Sequence, residues 1–244
     1  MTTVARTWTV TTWNLHGSAG PPIASVAARL RPLSSDIVVL QEVQRRQAES
    51  LAEALGMQHH WALKHYPWTP LLKSKAEGMA ILTPHGLSAT GSVSLTPDTS
   101  RWSHKHRIVV WGLVKRADHS AYRVYDVHLI AGDAAADRLD QAERVAALVA
   151  EHGGAPAIVA GDLNAHDEPA VIAALPGIEG AATAGTSPAD TPARRIDHVL
   201  VPAAGTDVTV RVPVGGAEWA ALSDHLPVTT AFTLDWVEGD FPVP

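Results

Sequence analysis

Two spacings of apolar residues alternate along the chain. Residues 7–13 (TWTVTTW) and 36–41 (DIVVLQ) are short runs rich in Thr, Val, Ile and Trp, which predicts strands. Between them Ile23, Val26, Ala27 and Leu30 recur at helical spacing within residues 21–31, so the opening reads β-α-β. Residues 46–55 (RQAESLAEAL) predict a helix ending at Gly56, which can close a last turn in the left-handed region. The pattern then breaks. Residues 57–77 read as a basic and aromatic loop carrying His59, His60, Trp61, Lys64, His65, Tyr66, Trp68, Lys73 and Lys75. Strands are predicted at 78–82, 108–114, 122–130, 157–160, 196–201, 207–212 and 226–233, with a helix at 134–151. The Pro-, Gly-, Ala- and Thr-rich stretch 167–193 reads as a short helix plus loop.

Strands outnumber long helices and fall in two groups with helices between. That predicts a single α/β domain over residues 1–244, an α/β sandwich of two packed mixed β-sheets flanked by helices. No GxGxxG follows the first strand and no GxxxxGK[ST] occurs, so dinucleotide and P-loop readings have no support. Apolar residues are 46% and charged residues 18%, which excludes disorder of the whole chain. A net charge of −6 argues against holding nucleic acid by bulk charge, although residues 59–75 and Arg101, Trp102, His104, Lys105, His106 and Arg107 form local basic and aromatic clusters. The absence of cysteine excludes thiolate metal sites, disulfides and cysteine nucleophiles, and leaves the redox compartment open. Neither an apolar signal core nor a run of about 18 apolar residues is seen, so a cytoplasmic monomer with no membrane partner is expected.

Chemistry-bearing side chains recur at strand ends: Asn14, Glu42, His128, Asp162 with Asn164, Asp197 with His198, and Asp224 with His225. Each alone is ordinary, since Asn and Asp favour turns and a strand histidine is usually a satisfied core residue. Together they are not. Four carboxylates beside apolar strands need partners or a metal, because a buried carboxylate is costly without one. Hard divalent cations take oxygen ligands, often one or two carboxylates with water and phosphate, and Asn14 and Glu42 fit that demand. A histidine such as His225 can be held protonated if Asp197 accepts its other N–H. The set reads as a phosphate-ester hydrolase.

These segments resemble the endonuclease/exonuclease/phosphatase superfamily, which shares the deoxyribonuclease I fold. The resemblance runs from Thr12 to Phe232. It is carried by Trp13-Asn14-Leu15-His16-Gly17, Gln41-Glu42-Val43, Gly78-Met79-Ala80-Ile81-Leu82, Val127-His128-Leu129 with Arg138 and Gln141 beyond, Gly161-Asp162-Leu163-Asn164, Arg195-Ile196-Asp197-His198-Val199 and Ser223-Asp224-His225-Leu226-Pro227-Val228. It implies Glu42 as principal Mg²⁺ ligand, with Mn²⁺ as an alternative ion, assisted by Asn14 and by Asp224 directly or through water. Asp162 would orient and deprotonate the attacking water and Asn164 would hold a phosphate oxygen. His225, with its tautomer fixed by Asp197, and His128 would donate to the phosphate, and Arg107 is a candidate phosphate contact. Asp126-Val127-His128 stands where exonuclease III-like enzymes carry an Asn-Gly-Tyr-type segment, so the chain resembles the His-bearing branch. That branch acts on DNA, RNA, lipids and inositol phosphates. The partner implied is therefore a phosphate ester, nucleic acid among the candidates.

Three other readings compete. A phosphomonoesterase, or a phosphodiesterase of lipids or small molecules, would keep the same fold. A calcineurin-type metallophosphoesterase is suggested by Asp126-Val127-His128 and Gly161-Asp162, but position 165 is Ala and neither GN[HDE] nor GHxH follows. A non-catalytic scaffold should have lost Glu42, Asp162 or His225, and none is lost.

Overall fold

A computed structural model of the chain describes residues 3–67 and 75–237. In order, the elements are β1 (Thr3–Asn14), α1 (Ile23–Leu30), β2 (Ile37–Gln44), α2 (Arg45–Leu55), β3 (Gln58–His65), β4 (Glu77–Thr83), β5 (Gly86–Ser94) and β6 (Ile108–Lys115). They continue with β7 (Ala121–His128), α3 (Ala135–His152), β8 (Ala157–Asp162), α4 (Pro169–Ala174), β9 (Asp197–Leu200), β10 (Thr206–Arg211), α5 (Ala217–Ala220) and β11 (Val228–Val237). Two mixed sheets form, ordered β10-β11-β1-β2-β4-β3 and β5-β6-β7-β8-β9. The α/β sandwich read from the sequence is what the chain adopts.

The central strands are apolar on both faces because both faces are covered. In β2, Ile37 and Val39 enter the core between the sheets, with Trp8, Val10, Met79, Ile81, Tyr122, Val124, Ile158 and Phe232. Val38 and Leu40 face the other way and pack with Val26 and Leu30 of α1 and with Ala48 and Leu51 of α2. On the second sheet Val127, Val159 and Leu200 pack with Ala142 and Val145 of α3 and Val171 of α4. Gly56 closes α2 at φ 67°, as the sequence predicts.

Two edge strands differ from the sequence reading. Residues 58–65, expected as loop, form β3, and β5 occupies a Gly- and Ser-rich stretch with no strand pattern. Both lie at sheet edges, antiparallel to β4 and β6. An edge strand has one paired side and needs no apolar alternation, so polar sequence is tolerated there and masks the signal. Trp68 and Lys73 lie outside the described residues. Among the described residues no helix is long and apolar enough to cross a membrane.

A fully buried polar tie joins the two sheets. Gln41 Nε2 of β2 donates to Asp126 Oδ1 of β7 at 2.6 Å, and both residues are fully buried. Burial drives the Asp126 carboxyl well above the usual carboxylate range, with Gln41 only partly offsetting it. Asp126 is thus an inter-sheet acid whose neutral form is favoured by burial, which accounts for the Asp-Val-His pattern without a dinuclear metal centre. The folded state keeps a proton that the unfolded state loses above about pH 3.9, so this group's contribution to stability falls as pH rises from there towards its folded pKa. Asp126→Asn keeps the acceptor without ionising. It should raise the melting temperature at pH 8 by about 2–4 °C, equivalent to roughly 1 kcal/mol, with the gain vanishing near pH 4; an equal shift at both pH values would contradict the account.

Candidate active site

The inward face of each strand is apolar along most of its length and turns polar at one end of the sandwich. In β8 the core-facing series runs Ile158, Ala160, Asp162; in β7 it runs Tyr122, Val124, Asp126, His128. β1 gives Trp8, Val10, Thr12, Asn14, and β4 read backwards gives Ile81, Met79, Glu77. β7 and β8 are parallel and β9 is antiparallel to β8, so His128, Asp162 and Asp197 stand in one register row across the second sheet. β1 and β2 are parallel, which brings Asn14 level with Gln41 at the same end. This is the carboxyl edge where open α/β sheets place ligands.

Glu42 reaches this end through an irregularity. Leu40 pairs with Ala80 and Val43 with Gly78, leaving one extra residue in β2. Leu40 and Val43 therefore both face the helices, while Gln41 and Glu42 are freed for the gap between the sheets. Glu42 takes φ 51°, and His16 and Asn164 beside it take 45° and 50°. Non-glycine residues in the left-handed region cost about 1–3 kcal/mol each and gather at functional sites. Gly17 makes the bulge possible, because a Cβ there would lie 2.3 Å from the Glu42 carbonyl oxygen.

Asp162 is the most constrained side chain. Its Oδ2 accepts from Asn14 Nδ2 at 3.0 Å, and its Oδ1 accepts from the Asn164 backbone N–H at 2.9 Å. His128 Nε2 and His225 Nε2 lie 3.6 and 3.9 Å from the same Oδ2. Burial, then the Asp197 charge, pushes the Asp162 carboxyl up to about 6, against His225 and its two donors. Burial pulls His225 down, yet the Asp197 carboxylate 2.9 Å from Nδ1 outweighs it and holds the imidazolium up to about 10, helped by Asp162 and Asp224. His128 goes the opposite way: burial, then the charges of Lys64 and Arg107, keep it well below its ordinary range. The segment carrying His225 is fixed by Trp13 Nε1 donating to the His225 carbonyl at 2.8 Å and Ser223 Oγ donating to the Asn14 carbonyl at 2.6 Å.

The remaining expected residues divide. Asp224 stands on the rim, 57% exposed, 3.3 Å from His16 Nδ1. Arg107 is buried, with Nε donating to the Leu129 carbonyl at 3.0 Å and Nη1 to the His104 carbonyl at 2.5 Å, so it braces the loop that flanks the site. Asn164 Nδ2 donates to the same Leu129 carbonyl at 3.1 Å. His198 turns away and pairs with Glu179 at 3.0 Å. Arg138 and Gln141 tether the backbone after His128 through Ile130 and Gly132.

Two charged members go beyond the sequence reading, which takes Lys64 only as part of a basic loop and does not single out Glu77. Lys64 is only 2% exposed, and its Nζ lies 3.6 Å from Glu42 Oε1, 3.9 Å from Glu77 Oε2 and 3.4 Å from His128 Nδ1. Glu77, beside Lys64 and 3.6 Å from His65 Nε2, has its carboxyl pushed up by burial and by Glu42. The signal was available in the two-residue alternation of Ala62-Leu63-Lys64 and Glu77-Gly78-Met79, once β3 is read as a strand.

The donor set suits a divalent cation. Asp162, Asp197 and His225 present atoms that all lie within 4.8 Å of one another, although an imidazolium offers an ion no lone pair. Glu42 Oε1 faces cationic or ring nitrogens at 3.6 and 3.9 Å, beyond hydrogen-bond range, which leaves an oxygen free to ligate.

The family model for the Endonuclease/Exonuclease/phosphatase family matches residues 11–225, which span every one of these side chains. The chain belongs to this family. Its members are phosphoesterases and nucleases, divalent-metal-dependent hydrolases. Solved structures share the fold. A family protein from Bacteroides thetaiotaomicron aligns with a TM-score of 0.72 at 22% identity, over 96% of this chain and 100% of its own. A mannosyl-6-phosphatase from Bacteroides thetaiotaomicron VPI-5482 aligns at 0.69 and 22%, over 91% and 98%. Truncated TDP2 from Caenorhabditis elegans aligns at 0.68 and 17%, over 93% and 97%. No curated protein matches the chain.

Gly161, at φ 150°, lies where a Cβ would sit 1.8 Å from the Val127 carbonyl oxygen, between the strands that carry His128 and Asp162. Gly161→Ala should therefore cost about 3 kcal/mol or more, lowering the melting temperature by roughly 6–12 °C. A change below about 2 °C would contradict this packing.

Proposed function

We propose that the chain is a Mg²⁺-dependent phosphodiesterase of nuclease type, in the His-bearing branch of its family. The observation that carries this reading is the convergence of the His128–Asp162–Asp197 row, His225 and Glu42 on one end of the sandwich. Glu42, Asn14 and Asp224 would hold the ion, Mg²⁺ or Mn²⁺, which supplies positive charge to the phosphate oxygens. The imidazolium of His225 is better suited to donate a proton than to ligate, which favours the Glu42 side over the Asp162–Asp197–His225 trio.

Asp162, held by Asn14 Nδ2 and the Asn164 N–H, orients an attacking water and takes its proton; its raised pKa suits a base working near neutrality. His225 directs its Nε2–H at the phosphate, stabilising the developing charge and protonating the leaving oxygen, while Asp197 fixes Nδ1–H. His128 donates through Nε2 from the neighbouring register position. Asn164 has a second amide hydrogen for a phosphate oxygen, and Arg107 adds positive charge behind it.

His225→Ala should lower Mg²⁺-dependent hydrolysis of bis-p-nitrophenyl phosphate by about 10²–10³-fold. Glu42→Gln and EDTA should each remove the metal-dependent turnover. Activity of His225→Ala within a few-fold of the parent would contradict the assignment, and no metal-dependent turnover on any ester would favour a binding scaffold.

One feature favours a base-bearing substrate. Tyr66 and Trp102 pair with ring centroids 4.7 Å apart, and Trp102 is 42% exposed beside exposed Arg101, His104 and Lys105. Tyr66 directly follows His65, which lies 3.6 Å from Glu77, and its N–H donates to the Arg101 carbonyl at 2.7 Å, which ties the segment carrying Trp102 to the end of β3 beside the site. Stacking of a base on such a ring is worth about 1–3 kcal/mol. Trp102→Ala should raise KM for a thymidine-containing diester by about fivefold or more and leave a small alkyl diester unchanged; equal effects on both would favour a substrate without a base.

A further inference from the structure

Lys64 occupies an inward-facing position of β3, one turn of the pleat beyond the core residue Ala62. Its Nζ lies 3.4 Å from His128 Nδ1, between the carboxylates of Glu42 at 3.6 Å and Glu77 at 3.9 Å. An ammonium has three donors and no acceptor, so a ring nitrogen bonded to it must carry the lone pair. The His128 proton is then on Nε2, the atom 3.6 Å from Asp162 Oδ2 and 3.9 Å from Glu42 Oε1. The 3.4 Å separation is long for a hydrogen bond, as is common at catalytic groups before substrate closes the site.

The two site histidines are thus oriented by opposite partners. His225 turns Nδ1 to a carboxylate at 2.9 Å and His128 turns Nδ1 to the Lys64 amino group at 3.4 Å, yet each leaves Nε2 facing Asp162 Oδ2, at 3.9 and 3.6 Å. We propose that Lys64 is a positioning residue that fixes His128 as its Nε2–H tautomer, so that a donor and not a lone pair faces the phosphate. This builds on the phosphoesterase reading of the site, but the tautomer can be measured without turnover. If Lys64 served only to balance the charges of Glu42 and Glu77, either tautomer of His128 would do.

The test is ¹⁵N–¹H correlation of the histidine rings in the full-length chain, with and without Mg²⁺, the His128 signals being identified by their loss in His128→Gln. Nδ1 of His128 should be unprotonated and Nε2 protonated in the parent and in Lys64→Arg. In Lys64→Met the two nitrogen shifts should converge as the tautomers mix. kcat on bis-p-nitrophenyl phosphate should fall by about 10–100-fold with little change in KM, and Lys64→Arg should recover most of it. A proton on Nδ1 of the parent protein overturns the proposal whether or not Lys64→Met folds. So does an unchanged tautomer in a folded Lys64→Met, or a mixed tautomer with full turnover. Absence of turnover in the parent would instead count against the hydrolase reading, leaving the tautomer result to stand by itself.

Discussion

Charge buried between two sheets is the constraint from which the rest of this structure follows. Removing the partner of a buried charge costs about 3–5 kcal/mol, and this sandwich places Asp162, Asp197, Lys64, His128 and His225 in its gap, all with little solvent contact. They persist because each faces at least one group of complementary charge or hydrogen-bonding character within 4 Å. The arrangement fixes donors and acceptors around Asp162 Oδ2 at one end of the gap. Such preorganisation is what electrostatic stabilisation of a transition state requires.

The backbone is bent to serve that end. Without the extra residue between Leu40 and Val43, the alternation of β2 would turn Glu42 towards the helices. The left-handed conformations of His16, Glu42 and Asn164, and the bare positions at Gly17 and Gly161, all lie within this end of the sandwich. The opposite end is held by ordinary pairs, such as Asp36 with His85 and Arg116, and among the described residues the grouping of carboxylates with histidine close enough to share an ion lies at the polar end.

Much of this is legible in the sequence, for definite reasons. The buried strands announce themselves through Val, Ile and Trp, and α1 and α2 through spacing that matches their buried faces. Asn14, His128 and Asp162 are visible because a polar residue breaks an apolar two-residue series at its end. Lys64 was hidden because its strand is an edge strand of mixed polarity, where histidine and lysine read as loop. The distinction between Asp197, which orients His225, and its neighbour His198, which turns to Glu179, depends on strand facing that only the paired register supplies. The family resemblance implies Arg107 as a phosphate contact, and in the structure its Nε and Nη1 donate to the Leu129 and His104 carbonyls, so it also braces the loop beside the site.

The account stands on one hard cation sharing the polar end of the sandwich with Glu42, and anomalous diffraction from a crystal soaked in Mn²⁺ tests that claim most directly. A manganese peak bound by the Glu42 carboxylate, lost in Glu42→Gln, is the predicted result. A peak held by Asp162, Asp197 and His225 without Glu42, or no peak at this end of the sandwich, would contradict it.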